Sequence, residues 1–144
     1  MRRAWNHLTI ESLDPTETLL ITITGRSYRS SEEEQLQSLR RELDTIDPHM
    51  ESSRNVIVDL SQIEIFGSGL LRVLFDQLAP LRMLGIQAIL CGDRHGLVVQ
   101  TAIDRWITVT ANRDAALAIV EDANVYEFHN AEPKSKISQM VCTK

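Results

Sequence analysis

The segment from Asn55 to Cys91 constrains the fold more than any other part of the chain, because it has the pattern of a strand–helix–strand unit. Val56, Ile57 and Val58 form a β-branched run that is too short for a helix, which predicts a buried strand. Apolar residues then recur with helical spacing from about residue 70 to 84, and a second buried strand is predicted at residues 86–90. Such strands are parallel and joined by a right-handed crossover. The turn between the first strand and the helix is therefore the first place to look for a function.

Two strands and a helix are predicted before this unit. Residues His7–Ile10 predict an edge strand, and Thr18–Thr24, which Gly25 ends, predict the second strand of a hairpin. Ser30 or Ser31 can cap a helix whose first turn is acidic, and Asp47-Pro48 is expected to stop it. The predicted buried stripe of this helix consists of Leu36, Leu39, Leu43 and Ile46.

Further elements are predicted after the unit: a short helix at residues 97–103, a strand at 107–109, and a helix from the cap Asn112 to about Asp122. The order β-β-α-β-α-β-α-β-α indicates a single α/β domain, with a mixed β-sheet, an N-terminal hairpin and about four helices packed on it. We assign the domain to residues 1–124. Residues 125–144 lose the periodicity and are interpreted as a tail that is flexible or depends on a partner.

Composition excludes several classes of function. A chain of 144 residues, 43% hydrophobic and 24% charged, fits one globular domain, and its net charge of −5 argues against nucleic-acid binding. No apolar run approaches the ~18 residues of a membrane span, and the N-terminus lacks the apolar segment of a signal peptide. Cys91 and Cys142 give neither a disulfide framework nor metal-ligand spacing. We therefore expect a cytoplasmic protein without a metal or another cofactor.

The motifs do not predict an enzyme. Gly67-Ser68-Gly69 is not a hydrolase nucleophile elbow, because the glycines of that motif lie two residues before and two after the serine. It is neither a P-loop nor a dinucleotide fingerprint. Asp59 ends the central strand, where we expect a carboxylate that accepts hydrogen bonds from loop amides, and no second carboxylate is placed to share acid–base work. The four histidines are scattered, and each is expected at the surface.

Ser68 has two interpretations. Its hydroxyl can be the N-cap of the long helix, a role whose loss costs ~1 kcal/mol. It can also be a phosphate acceptor, because a charge of about −2 is tolerated at a helix N-terminus and changes what can dock there. Residue chemistry alone favours the cap.

The apolar face of the long helix covers roughly half of its circumference, more than the ~100° that a surface helix needs. Leu71 and Phe75 account for most of the excess, and Arg72 marks the outer face. A second helix that covers the excess is favoured over a docking surface. Pro80 inside this helix predicts a kink.

The central segment resembles the STAS domain of bacterial anti-sigma-factor antagonists, and the resemblance extends from about Thr18 to Val120. It implies a STAS-like fold and a role in signal transduction and transcription regulation. The residues that carry it are Val56 to Ser61, Ile63 to Phe66, the small-residue turn, the helix to Gly85, the strand to Cys91, Ile103 to Ile107, and Arg113 to Leu117.

Family members that act as switches have Asp-Ser-Ser/Thr-Gly at the strand–helix turn, and a partner kinase phosphorylates the second hydroxyl residue. An ungapped count from Leu60 to Gly85 places Gly67 at the aspartate and Gly69 at the acceptor. A slide by one residue would make Ser68 the acceptor, but it moves the charged Arg72 to an inward position. The ungapped register is preferred, and in it the acceptor is absent.

The resemblance thus implies a protein-interaction module that binds an anti-sigma factor or a related kinase-like regulator, without serine phosphorylation control. Ser68 stays a candidate for phosphorylation, and a homodimer is an open alternative. A nucleotide- or small-ligand-binding regulator and an adaptor subunit of a stress-signalling or lipid-transport assembly are rival functions. The predicted partner-binding residues are Phe66, Gly67, Ser68, Gly69, Leu70, Leu71, Arg72 and Phe75.

Overall fold

The predicted crossover unit lies in the middle of the sheet. Strand β5 (Asn55–Asp59), helix α2 (Ser68–Met83) and strand β7 (Gln87–Cys91) follow one another, and the two strands pair in parallel with Val56 opposite Ala88. In this computed structural model, residues 2–14, 16–28, 33–94, 96 and 107–129 are described, the last seven of them by their backbone alone. The other elements in this part of the chain are β1 (Arg2–Ala4), β2 (Leu8–Leu13), β3 (Thr18–Ile23), β4 (Gly25–Tyr28), α1 (Glu33–Glu51), β6 (Ile63–Phe66), β8 (Thr108–Thr110) and α3 (Arg113–His129).

Six strands form one mixed sheet in the order β1-β2-β3-β5-β7-β8. β1 and β2, and β2 and β3, are antiparallel, whereas β3, β5, β7 and β8 run parallel. Strands β4 and β6 form a separate parallel pair, with Tyr28 opposite Phe66. The mixed α/β fold with an N-terminal hairpin is confirmed, and the described elements include three helices.

The sheet is buried on both faces, which explains the continuous apolar run in its central strand. Val56 and Val58 lie in the core cluster that includes the buried residues of α1 and α2, whereas Ile57 lies in a second cluster with Ala116 and Val120 of α3. Helices α1 and α2 therefore cover one face and α3 covers the other.

Several predicted boundaries are wrong. Helix α1 continues through Pro48 to Glu51, because Met50 is fully buried and holds the last turn on the core. Strand β3 ends at Ile23, before the predicted end at Gly25, but Gly25 begins β4, and residues 63–66, for which no strand is predicted, form β6. Helix α3 passes the expected end at Asp122 and reaches His129, whereas the domain boundary at residue 124 stays a prediction.

Two predictions lie outside the described residues. They are the cap at Ser30 or Ser31 and the short helix at residues 97–103. The interpretation of residues 125–144 as a tail stays a prediction.

Candidate functional site

The start of α2 directly follows strand β6, which pairs with β4. The Gly67 amide donates a hydrogen bond to the Tyr28 carbonyl oxygen over 3.1 Å, which extends the pairing of β4 and β6 to this residue. Gly67 is the N-cap, with extended backbone angles and no side-chain cap bond. The prediction that Ser68 is the N-cap is therefore wrong: Ser68 is the first helical residue, and its side chain is exposed.

The structure divides the eight predicted partner-binding residues into two groups. Phe66, Leu70 and Leu71 are 7%, 0% and 1% exposed, so they belong to the core and cannot contact a partner in this conformation. Phe75 is partly buried against the same core. Their burial follows from the close packing of α1 on α2, the alternative that the sequence favoured. The residues that remain at the surface, at least in part, are Gly67, Ser68, Gly69 and Arg72.

Burial along α2 matches the ungapped register. Leu71, Val73 and Leu74 are buried, whereas Arg72 is exposed. Gly69 is half-buried in the first turn, at the position where that register places the acceptor hydroxyl. The preceding residue, Ser68, has a hydroxyl group that could accept a phosphate.

A groove of about 510 Å³ lies between α1 and α2 and begins beside the start of α2. Gly69 lines one end of it, and three arginines line its walls: Arg40 and Arg41 from α1, and Arg72 from α2. Arg40 Nη2 lies 3.3 Å from Asp76 Oδ2, with both side chains about 40% exposed, so this ion pair contributes little to stability. The groove combines basic side chains with an exposed helix start.

Asp59 has a structural role at the carboxyl end of β5. Its Oδ1 accepts a hydrogen bond from the Ser61 amide at 2.9 Å, as expected for a strand-end carboxylate. Its Oδ2 accepts two from Arg113, from Nη2 at 2.8 Å and from Nε at 3.1 Å. Arg113 Nη2 also donates to Thr22 Oγ1 at the end of β3. Every oxygen of the buried carboxylate is thus engaged within the fold.

The neighbour of this ion pair, Cys91, is fully buried. Burial, and after it the Asp59 carboxylate, raises the pKa of the Cys91 thiol to about 12, while Arg113 opposes the effect. A thiol with such a pKa stays protonated at neutral pH and is a poor nucleophile. Among the described residues, Asp59, Cys91 and Arg113 therefore do not form a nucleophile–base pair.

A second polar cluster joins the N-terminal hairpin to α1, and the sequence did not reveal it. The Glu42 carboxylate, nearly buried, accepts a hydrogen bond from the His7 amide at 2.9 Å and lies 2.6 Å from His7 Nδ1. The expectation that His7 lies free at the surface is wrong, because this contact holds the imidazole against Tyr28. The Tyr28 hydroxyl donates to the Thr24 carbonyl oxygen, and burial raises its pKa to about 12.

Within the described ranges, no group of three or more His, Cys, Asp or Glu residues is arranged to hold a metal ion. No described helix has the length and apolar character to cross a membrane.

No protein-family model matches the chain, and no curated protein matches it by sequence. Solved structures do match. A variant of RsbS from Moorella thermoacetica has a TM-score of 0.62 and 16% identity, over 82% of this chain and 97% of its own. An anti-sigma factor antagonist from Mycobacterium paratuberculosis has a TM-score of 0.61 and 19% identity, over 83% and 99%.

The phosphorylated form of SpoIIAA, a Bacillus cell fate determinant, also matches, with a TM-score of 0.53 and 13% identity, over 78% of this chain and 98% of its own. These matches span nearly the whole of each compared protein. At such identities they show a shared fold.

Proposed function

We propose that this chain, which has the STAS fold of anti-sigma-factor antagonists, is a protein-interaction module that binds an anti-sigma factor or a related kinase-like regulator. The binding surface is the start of α2, formed by Gly67, Ser68, Gly69 and Arg72. The observation that carries the proposal is the exposure of this helix start, next to a strand pair that fixes its position. The engaged carboxylate of Asp59 and the protonated thiol of Cys91 favour a binding role over an enzymatic one.

In this proposal, serine phosphorylation at the turn does not control binding. Gly69 occupies the position of the acceptor in the ungapped register and has no hydroxyl group. Ser68 is exposed but lies one residue earlier on the helix, so its hydroxyl points in a direction that differs by about 100° from that of its successor. A kinase-like partner that selects the second position would therefore bind the chain without modifying it.

The test uses a histidine-kinase-like anti-sigma factor from the same source, incubated with the protein and ATP. Isothermal titration calorimetry should show a 1:1 complex, and intact-mass spectrometry should show no added phosphate on the wild-type chain. Gly69→Ser supplies the missing acceptor and should gain one phosphate at position 69. Phosphate on Ser68 of the wild-type chain would contradict the proposal, and Ser68→Ala would identify that site.

A nucleotide- or small-ligand-binding regulator is the second candidate function. The groove of about 510 Å³ between α1 and α2 supports it, because ligand pockets have volumes of ~300–1,000 Å³. A thermal-shift screen against nucleotides distinguishes the two functions. A ligand that raises the melting temperature by several degrees would favour the second.

A further inference from the structure

We infer that the groove between α1 and α2 binds a helical segment of the protein partner that carries carboxylate side chains, with Arg41 and Arg72 as its main contacts. This inference rests on the proposed function and extends the binding surface from the start of α2 along the groove. It adds Arg41 to the predicted partner-binding residues, among which Arg72 already stands.

The first observation is that two arginines of the groove have no internal partner. Among the residues that the structure describes, neither the Arg41 nor the Arg72 guanidinium forms an ion pair or a hydrogen bond. Both side chains are exposed. Arg40, which also lines the groove, forms the surface pair with Asp76. Guanidinium groups that are left free in this way can pair with carboxylates of another molecule.

The second observation is the geometry of the two walls. Arg40 contacts Asp76, and the Gln77 amide group donates to Asp44 Oδ1 at 2.9 Å, so later residues of α1 face later residues of α2. The two helices therefore run in the same direction, and residues of both line the groove. Arg41 lies on one wall and Arg72 on the other, so one row of acidic side chains at helical spacing can reach both.

The third observation is charge. The whole chain carries a net charge of −5, whereas the three arginines of the groove are balanced by Glu33, Asp44 and Asp76, the last of which pairs with Arg40. One carboxylate oxygen of Asp44 already accepts a hydrogen bond from the Gln77 side chain. An acidic segment is thus repelled less at the groove than elsewhere on the chain, and it can pair there with the Arg41 and Arg72 guanidinium groups.

The lining favours a protein segment over a small molecule. Small-ligand pockets enclose most of their ligand, whereas this groove is open, and five charged residues line it beside the apolar Leu36 and Val73. Arginine is enriched in protein–protein interfaces, where apolar side-chain stems and charged heads both make contacts.

The direct test is an ¹⁵N-NMR titration of the full chain with an alanine-based helical peptide of about 14 residues, with glutamates at i, i+3, i+4 and i+7. The control peptide has glutamine at the same positions. We expect the glutamate peptide to shift the amide signals of Gly69 and Arg72 and the side-chain Nε signals of Arg41 and Arg72. The shifts should shrink as salt is added. Absence of shifts, or equal shifts with the glutamine peptide, would overturn the inference.

Inorganic phosphate and ATP form separate arms of the titration. If either reproduces the shifts and the glutamate peptide does not, the groove binds a small anion and the inference of an acidic protein segment is wrong.

The partner complex gives an independent test. The variant Arg41→Gln, which leaves the start of α2 unchanged, should bind the anti-sigma factor about three- to fivefold more weakly than the wild type. Arg82→Gln, at the opposite end of the same helix, is the matched control and should bind normally. Wild-type affinity of Arg41→Gln would overturn the inference while the proposed function stands. A wild-type chain that binds no such partner would instead overturn the proposed function.

Discussion

Arg113 and Asp59 are 54 residues apart in the chain, yet two guanidinium nitrogens lie 2.8 and 3.1 Å from one oxygen of the buried carboxylate. Arg113 is the first residue of α3, where a positive charge opposes the helix dipole. The contact with Asp59 offsets that cost and attaches the start of α3 to the ends of β3 and β5. The ion pair thus fixes the helix that covers the second face of the sheet.

Removal of Arg113 should therefore destabilise the fold. Arg113→Gln leaves the carboxylate of Asp59 without a charged partner while its side chain is only 3% exposed. Because Arg113 itself is 42% exposed and solvent screens the pair, we expect a loss of about 1–3 kcal/mol in the free energy of unfolding, below the range for fully buried pairs. Urea denaturation measures this. The double variant with Asp59→Asn should recover part of the loss, and a single variant with wild-type stability would show that the pair is not structural.

Gly92 should be intolerant of alanine. Its φ is +82°, and an added Cβ would lie 2.7 Å from both Asp59 Oδ1 and the Ser61 amide nitrogen. Gly85 is the matched control, because its φ is +79° but nothing lies within 4 Å of an added Cβ. Both variants incur the left-handed backbone cost of about 1 kcal/mol, and Gly92→Ala should lose at least about 1 kcal/mol more. Equal losses in thermal or urea unfolding would contradict the close approach.

The Cys91 thiol should be inert in the folded protein. Its pKa is raised to about 12 by burial, then by Asp59, so at pH 7.5 almost no thiolate is present. We expect iodoacetamide to modify a Cys142→Ser variant only after denaturation, as read by intact mass. Alkylation of the native variant at the rate of an exposed cysteine would contradict both the burial and the raised pKa.

The free energy of unfolding should decrease at high pH because of Tyr28. Burial raises the pKa of its hydroxyl from 10.0 to about 12, with an added contribution from Glu42 and an opposing hydrogen bond to Gln35. Between these values the folded state holds a proton that the unfolded state has lost, so stability is complete below about pH 10 and decreases as pH rises towards 12. The slope is about 1.4 kcal/mol per pH unit for one proton. Tyr28→Phe should flatten the decline in urea unfolding free energy by up to that amount, and an unchanged slope would contradict the shift.

The central crossover could be predicted from sequence because its signals are local. Val56 to Val58 is β-branched and continuous, and the apolar residues of α2 repeat with a helical period. Strands β4 and β6 were missed because each is stabilised by the other across 37 intervening positions, as Tyr28 and Phe66 show, and neither has a strong pattern of its own.

Most of the polar contacts could not be predicted from local sequence patterns, for the same reason. The expected hydrogen bond from a backbone amide to Asp59 comes from its near neighbour Ser61. The contact of Arg113 with Asp59 and that of His7 with Glu42 instead depend on how the elements pack together. The N-cap of α2 is Gly67 and not the predicted Ser68, because strand pairing fixes the chain up to that glycine. Long-range packing therefore decided which predicted surface residues are accessible.

The most direct test of the account is the affinity of the anti-sigma partner for wild-type protein and for Ser68→Arg, measured by calorimetry without ATP. Ser68 is exposed, so the larger side chain should leave the melting temperature unchanged but obstruct the start of α2. Arg82→Glu, at the far end of α2, serves as the control. The account predicts 1:1 binding by the wild type and the control, and at least about tenfold weaker binding by Ser68→Arg. Equal affinity of all three proteins would contradict it.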